Sequence, residues 1–185
     1  SWNFYTIYSL GIGQGEIMIV PLQMANVVSI IANRGYYITP HLVKAIGPQK
    51  MILPEYNLKH LTSINAEHFE PLINAMEKVV SSGTATRARH DSIAICGKTG
   101  TAQNPHGEDH SVFIAFAPKV NPKIAISVVV ENSGFGGTWA APIASLMIEM
   151  YLTDSISRPE LEKQMLDADF IHKLKVISKI KSVGD

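Results

Sequence analysis

The stretch Ile93-Ala94-Ile95-Cys96-Gly97-Lys98-Thr99-Gly100-Thr101-Ala102-Gln103 decides how this chain is read. It starts as an apolar, β-prone run and ends on glycines and hydroxyls, which predicts a strand with Lys98-Thr99-Gly100 late along it. Two more short β-rich runs follow at 112–118 and 124–131, and the turn signal Asn121-Pro122-Lys123 between them predicts an antiparallel hairpin. Upstream, Phe69, Leu72, Ile73, Met76 and Val80 keep one face of 66–80 apolar, and Ser81-Ser82-Gly83-Thr84 ends that predicted helix. Further upstream, Pro21 suits a first helical turn, Met24, Val27, Val28 and Ile31 recur at helical spacing, and Gly35 is a stop. Residues 8–15 are punctuated by glycine, 36–46 read as extended, and 47–62 form an irregular connection around Pro48 and Pro54. Downstream, a glycine loop at 134–137 precedes a helix over 141–152. Helix, helix, three strands and helix in that order predict an α+β layered fold. A tail over 158–185 reads as one more helix, with Leu161, Met165, Ile171, Leu174, Ile177 and Ile180 as an imperfect apolar stripe. Its lysines, Lys173, Lys175, Lys179 and Lys181, complement a helix C-terminus. A docking helix is the simple reading, and a membrane-surface or partner role the alternative.

Composition narrows the function classes. The 185 residues suffice for one ordinary domain with a core. Lysine and arginine (16) balance aspartate and glutamate (16), so no basic stripe for nucleic-acid phosphates is expected. The single cysteine, Cys96, allows neither an internal disulfide nor a cysteine-built metal site. No apolar run has bilayer-spanning length, and the opening Ser1-Trp2-Asn3-Phe4 lacks a basic leader region, so the sequence is expected to be part of a longer protein.

By itself Lys98-Thr99-Gly100 is weak: the pattern arises by chance in roughly one chain of this length in ten. Its setting adds weight. Glycines on a sheet edge let a ligand backbone approach, and an ammonium with two hydroxyls suits a carboxylate. Against this stands the plain alternative of a solvated strand end with a surface lysine.

The neighbouring segments decide between them. GIGQG, PLQMANVVSIIANRG, TPHLV, VVSSGTA, CGKTGTAQN, HSVFIAFAPK and GFGGTWAAPIA follow one another across residues 5–152. In that order and spacing they resemble class B penicillin-binding proteins, the elongation-type penicillin-binding protein 2 branch most of all. The resemblance implies a penicillin-binding transpeptidase fold, related to the serine β-lactamases, of which this chain is the C-terminal part. It implies a peptidoglycan D,D-transpeptidase without cofactor or metal, acting on D-Ala-D-Ala stem peptides and trapped by β-lactams. The family motifs are Ser-x-x-Lys, Ser-x-Asn and Lys-[Thr/Ser]-Gly. Lys98 then supplies a positive field and a hydrogen bond to the Ser-x-Asn serine. The Thr99 and Thr101 hydroxyls hold the carboxylate, and the Thr101 N–H is one of two oxyanion donors. Gly100 lets the substrate strand pair, and Gly137 and Thr138 border the cleft. Localisation on the periplasmic side of the inner membrane and a glycosyltransferase partner follow from the same resemblance.

The two serine motifs are expected elsewhere, in the N-terminal half of the domain. Ser178-Lys179-Ile180-Lys181 follows the KTG instead of preceding it, and Ser1-Trp2-Asn3 and Ser63-Ile64-Asn65 fall at the wrong spacing. Residues 1–152 are expected to be transpeptidase domain and 153–185 a helical tail. Three other patterns have plainer readings. His106-Gly107-Glu108-Asp109-His110 is a polar loop and lacks the helical spacing of zinc ligands. The glycines of 11–15 lack the third glycine of a dinucleotide fingerprint, and Cys96 is a core thiol. A penicillin-recognising sensor or scaffold without catalysis, or a related β-lactamase or carboxypeptidase, stands as the alternative function.

Overall fold

The computed structural model describes residues 3–15 and 17–170. The elements in chain order are α1 (Phe4–Gly11), α2 (Pro21–Ala32), β1 (Tyr36–Tyr37), β2 (His60–Leu61), α3 (Phe69–Ser81), β3 (Cys96–Ala102), β4 (His110–Ala117), β5 (Ile124–Val130), α4 (Ala140–Thr153) and α5 (Pro159–Leu166). The strands β3, β4 and β5 form one antiparallel sheet in that order, so the KTG strand is an edge strand.

Alternation along β4 builds two cores, one on each side of the sheet. Phe113, Ala115 and Ala117 pack with Ala140, Ala141, Ala144 and Ile148 of α4. Phe116, with Cys96 opposite it in register, packs with Val28 and Ala32 of α2 and Phe69, Ile73 and Met76 of α3. Small residues on α4 let that helix lie close to the sheet, and its residues Ala140 to Pro142 are all buried. Phe113 and Phe116 are fully buried. Truncating either to alanine is worth about 3–5 kcal/mol of stability.

The α+β layering, the hairpin and the helices α2, α3 and α4 match the sequence reading. Three elements differ. Residues 4–11 are helical, started by the Asn3 side chain, which accepts the Thr6 N–H at 3.0 Å. The extended segment shrinks to Tyr36–Tyr37 on β2, because Pro40 has no donor for a ladder and His41 Nδ1 turns back to the Thr39 carbonyl. The tail is not one unbroken helix: α5 ends at Leu166, where the Asp167 N–H closes on the Lys163 carbonyl. Residues 171–185, including the Ser178 string, and Ser1 lie outside the described residues. Ile17, Met18, Ile19, Val20 and Leu22 are each more than half exposed, and β5 ends the sheet opposite β3. No helix among the described residues is long and apolar enough to cross a membrane.

Candidate active site

The site is built on the outer edge of β3. Gln14 fixes which backbone groups face outward: its Nε2 donates to the Thr101 carbonyl at 2.7 Å, and its Oε1 accepts the Gln103 N–H at 3.4 Å. In an antiparallel strand the N–H and C=O of one residue point to the same side, and the side alternates with each residue. The N–H and C=O of Thr99 and Thr101 therefore face away from β4, the Thr101 carbonyl toward Gln14 and the Thr99 carbonyl toward Lys98. Lys98 is exposed, and its ammonium rests on the outward Thr99 carbonyl at 2.7 Å. Among the described residues no carboxylate forms an ion pair with Lys98. The result is an edge with outward amide donors beside a cation that has no carboxylate partner among the described residues, an arrangement whose field favours anions.

The two threonines lie on the α4 side of the sheet, in register with Phe113 and Ser111. The Thr99 hydroxyl bonds the Thr84 hydroxyl at 2.8 Å. Thr84 comes from the turn after α3, so a residue of the VVSSGTA segment orients a hydroxyl of the KTG. Gly136 and Gly137 lie directly against this assembly. A Cβ on Gly136 would come within 2.4 Å of the Gly100 carbonyl oxygen, and one on Gly137 within 2.2 Å of the Thr84 carbonyl oxygen. Any larger residue at either place would lift the 134–139 loop off the strand. Ser111, fully buried, pins that loop by donating to the Phe135 carbonyl and accepting the Ala140 N–H, both at 3.0 Å. The Thr138 carbonyl accepts from Arg87 at 2.7 Å, and Arg87 also reaches Gln164 of α5 at 2.6 Å.

Each residue expected at the site thus has a place: Lys98, Thr99, Gly100 and Thr101 along the edge, Gly137 against Thr84 and Thr99, and Thr138 tied to Arg87. The glycine before the lysine has a different reason from the one first assigned. A Cβ on Gly97 would sit 2.3 Å from the Phe113 ring, so the core requires this glycine, not a ligand. A Cβ on Gly100 would meet only Val112, at 3.4 Å. Gln14, Thr84, Arg87 and Ser111 had no assigned role, although all but Arg87 belong to the segments that carried the resemblance.

Other candidates resolve as structure. The His106–His110 loop closes on itself: Asn104 donates to Asp109 Oδ1 at 3.1 Å and to Asn132 at 2.7 Å, and His110 Nδ1 accepts the Asn132 N–H at 3.0 Å. Cys96 is fully buried, and burial, with the Glu77 carboxylate adding to it, pushes its thiol up to about 12. It has no thiolate character at neutral pH. Glu149, 1 % exposed, is a buried carboxylate on α4. Burial alone would raise its pKa. The Ser157 hydroxyl and N–H and a two-pronged Arg158 contact, at 2.9 and 2.8 Å, outweigh that and hold it at about 2. His90 Nε2 lies 3.3 Å from the same carboxylate. Its Nδ1 accepts the backbone N–H of Ser92 and Ile93, which leaves the ring proton on Nε2, toward Glu149.

Comparison with known proteins shows the family. The penicillin binding protein transpeptidase domain model matches residues 1–149. The peptidoglycan D,D-transpeptidase MrdA of Haemophilus influenzae is 34% identical over 180 residues, covering 84% of this chain and 27% of that protein. The crystal structure of Pseudomonas aeruginosa PBP2 in complex with WCK 5153 superposes with a TM-score of 0.72 at 34% identity, over 83% of this chain and 34% of that one. A peptidoglycan synthase complex, solved to show how polymerization and crosslinking are coordinated, contains a chain that matches at 28% identity with a TM-score of 0.71, over 84% of this chain and 27% of that one. The chain thus spans 27–34% of the length of these relatives. The chain belongs to the penicillin-binding protein transpeptidase domain family, within the class B, PBP2/MrdA type.

Proposed function

We propose that these residues form the KTG wall of a peptidoglycan D,D-transpeptidase that cross-links the cell wall during elongation. The observation that carries this reading is the outer edge of β3, where the backbone groups of Thr99 and Thr101 face away from β4 beside the exposed Lys98 and are met only by side chains. A D-Ala-D-Ala stem adds to this edge as a strand. Its terminal carboxylate is held by the Thr99 and Thr101 hydroxyls in the field of Lys98. Its scissile carbonyl oxygen lies on the Thr101 N–H, where developing negative charge is stabilised. Gly100 keeps the edge open to the stem, and Gly137 and Thr138 flank the cleft.

In the reaction a serine Oγ forms a bond to the scissile carbonyl carbon, the C–N bond breaks, and the terminal D-Ala leaves with the proton. An amine of a second stem then takes the acyl group and frees the serine. That serine comes from another part of the domain, and the exposed apolar surface around residues 17–22 is where that part docks. Residues 1–152 belong to the transpeptidase domain and 153–185 to a C-terminal tail. The reaction takes place on the periplasmic side of the inner membrane, beside a glycosyltransferase that polymerises the glycan.

Covalent labelling with a fluorescent penicillin tests the proposal. The full-length protein containing these residues is expected to label, and the isolated 185 residues are not. Label on the isolated chain overturns the placement of the nucleophile elsewhere. No label on the full-length protein overturns the enzymatic reading.

A further inference from the structure

Gln14 holds the edge positions that an incoming strand would need. Its carboxamide donates to the Thr101 carbonyl and accepts from the Gln103 N–H. That is the pattern a residue of a parallel neighbouring strand makes, its N–H and C=O bridging C=O of residue i and N–H of residue i+2. The side chain is aimed there by its neighbours. Gly13 and Gly15 have φ of 78° and 99°, conformations open to glycine, and they turn the backbone tightly on both sides of Gln14. Two left-handed glycines and a contact across 87 residues of sequence are a built arrangement, not a surface side chain finding a nearby acceptor.

A bound stem peptide makes a conflicting demand. A ligand residue whose carbonyl oxygen sits on the Thr101 N–H presents its own N–H to the Thr101 carbonyl, because a hydrogen-bonded pair of an antiparallel ladder exchanges both bonds. The Gln14 carboxamide is already in that plane, 2.7 Å from the same oxygen. It also has somewhere to go. It lines a polar cavity of about 590 Å³ beyond the end of β3, with Ser9, Gln103, Asn104 and Asp109 among the other walls.

We propose that Gln14 is a specificity-determining latch: its carboxamide stands in for the substrate's amide on Thr101, and a ligand that brings its own amide N–H displaces it into the adjacent cavity. The inference rests on the transpeptidase reading above. The latch fills the edge when no peptide is bound, and it penalises ligands in proportion to their need for the Thr101 carbonyl.

The test compares two β-lactams on the full-length protein, a penicillin with an acylamino side chain and a carbapenem, which has none. The quantity read is the ratio of their second-order acylation rate constants. Gln14→Ala frees the carbonyl, and the ratio of penicillin to carbapenem rises about two- to tenfold, the worth of one hydrogen bond. Gln14→Glu keeps the shape, so it controls for folding. It still accepts from Gln103 but cannot donate to Thr101, and the ratio rises in the same way, since the added charge acts on both ligands alike. A ratio that is unchanged or lower in both variants overturns the latch. Absence of acylation by both ligands in the unaltered protein overturns the reading of the site itself, and the latch with it.

Discussion

The outer edge of β3 and the cluster around Glu149 are the two places where this fold concentrates strong polar groups, and they are built in opposite ways. At Glu149 both carboxylate oxygens are taken by Ser157 and Arg158, the His90 ring proton points at the same group, and the whole is buried. At β3 the Thr101 carbonyl is met only by the Gln14 side chain and the Thr99 carbonyl only by the Lys98 ammonium, which has no carboxylate partner among the described residues. A polar cluster closed on itself contributes stability and fixes geometry, whereas one left open at a strand edge binds. The buried carboxylate held most firmly in its charged form thus marks a brace, not a catalyst.

Removing a partner from the closed cluster has the largest expected effect. Glu149→Ala leaves Arg158 without its buried counter-charge and costs about 3–5 kcal/mol, read as a shift in the denaturation midpoint at constant slope. The pH dependence follows from the depressed pKa. A carboxyl held at about 2, against an ordinary 4.5, stabilises the fold above pH 4.5, and that contribution is lost as pH falls toward 2. The stake is on the order of 3 kcal/mol. Glu149→Gln removes this part of the acid profile. An acid profile identical to the unaltered protein would mean that the carboxylate does not carry it.

The next effect is at the open edge. Lys98→Ala is expected to slow penicillin acylation of the full-length protein about a hundredfold while moving stability by less than about 0.5 kcal/mol. The pairing of those two readouts is what the comparison demands. A large stability loss with Lys98→Ala would make it a brace like Glu149, and an unchanged acylation rate would remove it from the site.

Between the two lies the loop that joins them. Gly137→Ala places a methyl 2.2 Å from the Thr84 carbonyl oxygen, so the loop must shift. A cost of about 1–3 kcal/mol in stability is expected, together with a slower acylation than its stability alone explains. Normal acylation in Gly137→Ala would separate the loop from the wall it rests on.

How much of this was legible in the sequence divides along the same line. The strands β3, β4 and β5 and the helices α2, α3 and α4 announce themselves because period, turn residues and caps are local signals. Helix α1 does not: Phe4, Tyr5, Ile7 and Tyr8 are all exposed, so no polar face alternates with an apolar one, and only the Asn3 cap marks its start. The KTG was visible because three of its features are consecutive. Gln14 and Thr84 were not, because their roles arise from contacts across 87 and 15 residues, and no periodicity encodes which backbone carbonyl a glutamine will find. Gly97 was visible but misread, since a glycine beside a motif looks like ligand access until the Phe113 ring is seen to lie against it.

The smallest expected effect sharpens the contrast most. Thr84 and Thr99 share one hydroxyl hydrogen bond of 2.8 Å at an exposed edge. If Thr84 donates, the Thr99 proton is left free for a ligand carboxylate, so Thr84 prepares Thr99 for binding. Thr84→Val should weaken carboxylate-bearing β-lactams about three- to fivefold in apparent affinity with little change in the limiting acylation rate. Thr99→Val should cost more, and the double variant should cost no more than Thr99→Val alone, a coupling of about 0.5–1 kcal/mol. The same cycle on Glu149 and Arg158, read by denaturation, should give a coupling several times larger, because removing one charge there strands the other. Equal couplings would mean that the edge is as closed as the brace; fully additive Thr84 and Thr99 effects would mean that Thr84 does not act through Thr99.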